Sequence, residues 1–341
     1  MRNEFNEYKQ ELHQLQYTSH QKQQLASASL HRAELESKHT RKRRPKHRMA
    51  CSIVAAVLLL VITAGAVGAL RPVSELFAPY FGSSKKQTEI MGVMGTTLDE
   101  SVTQNGVTLT ANGIIGDTYN ACILYTLSWD DTVSADFPDN LPATAFENSS
   151  ATEVLFSDGT PKSWDMTIVQ VSKEKRQMEL LLRLSSEQPV MGKELTLHVH
   201  DILFRWADET GESNTHCFAK GNWELTTKTK YSDLSCELNG KQTFQLLDGH
   251  EATLTEAYIS PLGAYFVWTL PENTDRSYAF DITITKTDGT TVPMQYISGS
   301  TEYQETSIHC ISTFRSDTIL PLDEIANVTV GKTTYTLSRN K

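Results

Sequence analysis

The sequence lacks the short motifs on which much enzyme chemistry rests. It holds no Gly-x-Ser-x-Gly nucleophile elbow, no Walker phosphate loop, no His-Glu-x-x-His helix and no dinucleotide fingerprint, so enzymes built on those devices are excluded. The acid pair Asp130-Asp131 sits in loop-like sequence beside Ser and Pro, where carboxylates are solvated. Cysteine is scarce, five in 341 residues. Cys122, Cys217, Cys236 and Cys310 allow three pairings, and Cys217 with Cys236 is the nearest pair in sequence. Cys122 and Cys310 lie in β-patterned runs where a thiol acts as a small apolar residue. No obligatory disulfide, catalytic residue, cofactor or metal is expected.

Charge is missing altogether from the 22 residues Met49 to Leu70, MACSIVAAVLLLVITAGAVGAL. A helix of that length spans about 33 Å, close to the ~30 Å hydrocarbon core of a bilayer, and the run has Leu, Val, Ile and Ala on every face. It is expected to cross a membrane once. Residues 1–48 carry 11 Lys and Arg against 5 Asp and Glu, net +6, which leaves −16 for the rest of a chain of total charge −10. Eight basic side chains lie in the 20 residues before the run and three in the 20 after it, so by the positive-inside rule the N-terminus is expected in the cytoplasm. The basic cluster Arg41 to Arg48 is expected to meet anionic lipid headgroups of the bilayer rather than nucleic acid.

In the first 48 residues Phe5, Tyr8, Leu12 and Leu15 recur at spacings of three, four and three. That places them on one stripe of a helix, and Thr18 with Gln21 has the capping-box spacing for a second. Two such helices bury too little surface for an independent core. The stripe is expected to bind a partner protein, the alternative being that it packs on the second helix. Residues 71–88, which mix Pro, Gly and Ser with Phe77, Tyr80 and Phe81, are expected to be a linker whose rings settle at the membrane interface.

From Glu89 onward Thr, Val, Ile and Tyr alternate between Asn-Gly and Asp-Gly pairs, the sequence form of antiparallel hairpins. Phe280, Ile282 and Ile284, then Asp288-Gly289, then Val292, Met294 and Tyr296 predict one hairpin outright. An internal repeat is expected: Val107-Thr108-Leu109-Thr110 with Leu124-Tyr125-Thr126-Leu127 matches Ala252-Thr253-Leu254-Thr255 with Val267-Trp268-Thr269-Leu270, shifted by two residues between the halves. The expected fold is mainly β, with two tandem Ig-like β-sandwich units over residues 89–229 and 230–341, a transmembrane helix over 49–70 and a short helical segment over 1–48. His198-Val-His200-Asp201 is the single metal-like cluster, two imidazoles on one face of a strand. With no third ligand at a set spacing, it reads as a solvated strand face.

The start MRNEFNEYKQELHQLQYT, the basic run, the apolar run and then NGVTLTANGIIGDTYNACILYTLS resemble the single-pass proteins of Gram-positive bacteria that carry domain-of-unknown-function family 4179, and LPLDEIANVTVGKTTYTL is similar to how their exported part ends. Members are regarded as anti-sigma-factor-like. The resemblance implies that residues 1–48 hold a sigma factor, that the β units sense or bind an envelope signal outside the cell membrane, and that no residue is catalytic. A zinc-type anti-sigma domain is not supported, since the first 48 residues contain His13, His20, His31, His39 and His47 but no Cys. The expected function is therefore a membrane-tethered regulator that uses Phe5, Tyr8, Leu12 and Leu15 for its partner. A surface binding or envelope-structural protein is the alternative, and the outer ligand stays unidentified.

Overall fold

In the computed structural model, which describes residues 71–146, 152–161, 163–207, 210–238, 242–271 and 280–336, two helices precede the strands. Helix α1 (Val73–Phe81) and helix α2 (Lys85–Met94) form a hairpin, and Ser84 caps α2. The Ser84 hydroxyl accepts the Gln87 amide while the Gln87 side chain accepts the Ser84 amide, a reciprocal box that satisfies two otherwise orphaned donors. Their apolar faces, Val73, Leu76, Phe77 and Phe81 with Met91 and Met94, are buried.

The chain then runs through β1 (Gly95–Thr97), β2 (Ser101–Gln104), β3 (Val107–Gly116), β4 (Asn120–Trp129), β5 (Thr152–Phe156), β6 (Ser163–Ser172), β7 (Gln177–Ser185), β8 (Glu194–Ala207) and β9 (Ser213–Lys228). A six-stranded sheet has the order β1-β3-β4-β7-β6, with β2 also on β3, and a three-stranded sheet has the order β5-β8-β9. Strand alternation gives each sheet an inner face. Leu109, Tyr125, Leu180 and Leu182 from the first sheet meet Leu195, Leu197, Phe204 and Trp223 from the second in one core. The other face of the six-stranded sheet, through Ile115, Cys122, Leu124 and Leu181, packs on α1 and α2 together with Leu262 and Ile319 from further along the chain.

The remaining strands are β10 (Cys236–Glu237), β11 (Gln242–Gln245), β12 (Glu251–Ile259), β13 (Gly263–Pro271), β14 (Ile282–Lys286), β15 (Thr291–Tyr303), β16 (Ser307–Arg315), β17 (Ile325–Val330) and β18 (Thr333–Thr336). The β14–β15 hairpin pairs Ile282 with Met294 and Ile284 with Val292, the partners that alternation predicts. Asp288 accepts the Thr290 amide in its turn, and Gly289 takes φ +85 there.

The mainly β class holds, but the two Ig-like sandwiches do not form. In the second half strand β15 is the physical reason. Its first half pairs with β14 and its second half with β16, with a register shift between Tyr296 and Ser298. The nine strands therefore make one continuous sheet, curled as a half-barrel, instead of two stacked sheets. The curl brings the ends of the sheet together: the Tyr335 hydroxyl donates to Thr243 O at 3.1 Å and Lys332 N to Gln245 O at 3.2 Å.

The single-pass membrane helix, with the membrane localisation drawn from it, is also corrected. No helix among the described residues is long and apolar enough to cross a membrane. The helices present have 9 and 10 residues, where a span needs about 20. The run 49–70 itself lies outside the described residues. Residues 71–88, expected as an interfacial linker, instead form α1 and the start of α2. Phe77 and Phe81 are turned into the protein core, and the Tyr80 hydroxyl donates to Glu179.

Candidate functional site

Strand β8 is regular up to His200 and then breaks. The register shifts between His200 and Ile202, and Asp201 sits at φ +54. A residue added to one strand of a pair bends it and re-aims its side chains. The bend is held from three directions. Asp201 Oδ1 accepts the Gly221 amide at 2.8 Å, Gln104 Oε1 of β2 accepts the Asn222 amide at 2.8 Å, and Asn105 Nδ2 donates to Lys220 O at 2.7 Å. Asn105 and Gly106, at φ +48 and +77, make the tight turn that brings β2 against β9. Gly221 is required at its position because a Cβ there would lie 2.7 Å from Gln104 Oε1 and 3.0 Å from the Trp223 ring. Trp223 in turn is anchored by its Nε1, which donates to Val107 O at 3.0 Å.

Around this bend opens a cleft of about 940 Å³. Alternation places His198 and His200 together on the outer face of β8, as the sequence predicts. Neighbouring strands bring polar side chains beside them: Glu153 of β5 pairs across from His198, which pairs across from Glu224 of β9, and His200 pairs across from Asn222. His198 Nδ1 lies 3.8 Å from Glu224 Oε2, and His200 Nδ1 hydrogen-bonds to Asn222 Oδ1. The lining contains Glu153, Asp201 and Glu224 but no Lys or Arg. Among the described residues no group of three His, Cys, Asp or Glu comes together to hold a metal ion. The arrangement offers hydrogen-bond acceptors, two imidazoles and an aromatic edge to a polar ligand.

Sequence reasoning missed Gln104, Glu153, Asn222 and Glu224, because nothing in their spacing relates β2, β5 and β9 to β8. Gly221 inside a strand pattern was the available signal, since such a glycine marks a bulge or a close backbone approach. Phe5, Tyr8, Leu12 and Leu15, expected to hold a partner, lie outside the described residues. The cysteines take separate places: Cys122 and Cys310 are buried, Cys236 is half-buried and Cys217 is exposed. Burial pushes the Cys122 thiol up to about 12.

No protein-family model matches the chain, and no curated protein matches it. A solved structure described as the crystal structure of the conserved domain protein from Bacillus anthracis is similar over 69% of this chain and 76% of its own, with 17% sequence identity and a TM-score of 0.42.

Proposed function

We propose that the chain is a regulator of the anti-sigma-factor kind. Residues 1–48 hold a sigma factor through Phe5, Tyr8, Leu12 and Leu15, and the part from Val73 onward is a binding module without a catalytic role that takes a polar ligand in the cleft at His198–Asp201. The observation that carries the binding module is convergence: polar side chains from β2, β5, β8 and β9 meet at one deliberate break in a sheet ladder. Breaks of this kind re-aim side chains next to functional sites. The sigma-factor side rests on the apolar stripe and on the family resemblance of the sequence.

The test is co-purification of the full chain from its own cells after cross-linking, wild type beside Leu12→Asp, with bound proteins identified by mass spectrometry. A carboxylate in the stripe would be left unpaired in an apolar interface, which is costly. A sigma factor should be recovered with the wild type and lost from the variant. Recovery of none, or equal recovery with both, would refute the reading.

A further inference from the structure

The turn after β3 and the turn after β12 are one structure made twice. In the first, Asp117 N donates to Asn120 O at 2.9 Å, and Asp117 Oδ1 accepts the amides of Tyr119 and Asn120. In the second, Ser260 N donates to Gly263 O at 2.8 Å, and Ser260 Oγ accepts the amides of Leu262 and Gly263. The loops that close over these turns repeat as well. Ser186 N and Val190 N donate to Tyr119 O and Thr118 O, while Ser316 N and Leu320 N donate to Leu262 O and Pro261 O. Strand order agrees, since β1 and β2 on β3, then β4, β7 and β6, recurs as β10 and β11 on β12, then β13, β16 and β15. By this correspondence Asp117 matches Ser260, Tyr119 matches Leu262, and Cys122 matches Tyr265.

The two copies touch through those same parts, and the contacts at the two turns are reciprocal. The matched residues meet directly, the Ser260 hydroxyl donating to Asp117 Oδ2. Tyr119 stacks on Tyr265 with ring centroids 3.6 Å apart, and the matched pair, Leu262 and Cys122, belongs to one apolar cluster. The arm before β1 reaches the loop of the second copy, where Ile319 N donates to Phe81 O and Gln87 Nε2 donates to Ile319 O. The arm before β10 reaches the turn of the first copy, where the Tyr231 hydroxyl donates to Asp117 O and the Thr118 hydroxyl to Asp233. A matched residue meeting its own counterpart, with the flanking Tyr119–Tyr265 contact mirrored by Leu262 and Cys122, is the signature of two-fold, isologous association.

We infer that the chain carries two copies of one sheet module docked about a local two-fold, so that the seam is a self-association surface whose partner is a second copy of the module. Asp117 and Ser260 then hold interchangeable positions. Every group around the Asp117 carboxylate is a donor: the Ser260 hydroxyl, two backbone amides and the Asn120 side-chain amide. Ser260→Asp therefore sets two buried carboxylates face to face. The double swap Asp117→Ser with Ser260→Asp rebuilds the same hydrogen bond in the opposite direction.

The test is thermal unfolding of the full chain at pH 7.5 for wild type, Asp117→Ser, Ser260→Asp and the double swap. Ser260→Asp should lower the midpoint by about 10 °C or fail to fold. The double swap should fold and regain more than half of that loss. A double swap no more stable than the sum of the single changes would overturn the two-fold assignment, and so would a Ser260→Asp chain as stable as wild type.

Discussion

Tyr125 is fully buried in the core between the two sheets of the first module, yet its hydroxyl has no hydrogen-bond partner. A buried hydroxyl left unpaired costs about 1 to 3 kcal/mol of desolvation. Tyr125→Phe should consequently leave stability unchanged or raise it by about 1 kcal/mol in urea unfolding, and a loss of that size would show that the hydroxyl is satisfied after all. Gly221 makes the opposite case. A Cβ there would press on Gln104 and Trp223, so Gly221→Ala should displace Gln104 from the Asn222 amide and cost about 1 to 2 kcal/mol, read from the same experiment. The cysteines separate by environment alone. Cys217 is exposed, whereas burial raises the thiols of both Cys122 and Cys310. Only the thiolate reacts. Alkylation at pH 8 should label Cys217 in the native protein and reach Cys122 and Cys310 only in denaturant; native labelling of Cys122 would contradict the packing of α1 and α2 over it.

Among the elements, α2 depends most on a local device. Ser84→Ala removes the cap and should cost about 1 kcal/mol, measured by chemical denaturation, with the added consequence that Gln87 no longer holds its place against Ile319 O. This helix was partly legible in the sequence. Ser84 and Gln87 have the spacing of a capping box, but Pro79, Gly82 and Ser83 give the stretch the composition of a linker, and Phe77 and Phe81 can be assigned to a core only once the sheet beneath them exists. The β14–β15 hairpin was legible because alternation and an Asp-Gly turn are local properties of the chain. The bend in β15 was not, since the partner change between β14 and β16 depends on strands distant in sequence. His198 and His200 were legible as a pair for the reason that made the hairpin so, while Glu153, Asn222 and Gln104 reach them through cross-strand register. The repeat was visible as two short matches with a two-residue shift, but the structure aligns the copies without one: the bulges of β3 and β12 fall at Asn112 and Thr255, so Leu109 corresponds to Ala252 and only the second match pairs true counterparts.

For the whole molecule, we propose a partner-binding stretch in residues 1–48 joined to two docked β modules with a ligand cleft in the first. In that proposal the chain represses transcription by holding a sigma factor. The most direct measurement is in vitro transcription from a promoter that depends on the co-purified sigma factor, with RNA polymerase core and increasing amounts of the full chain. Wild type should reduce the transcript as it approaches equimolarity with the sigma factor, and Leu12→Asp should leave transcription intact at the same concentrations. Undiminished transcription with excess wild type, or equal repression by the variant, would show that residues 1–48 do not hold the sigma factor through this stripe.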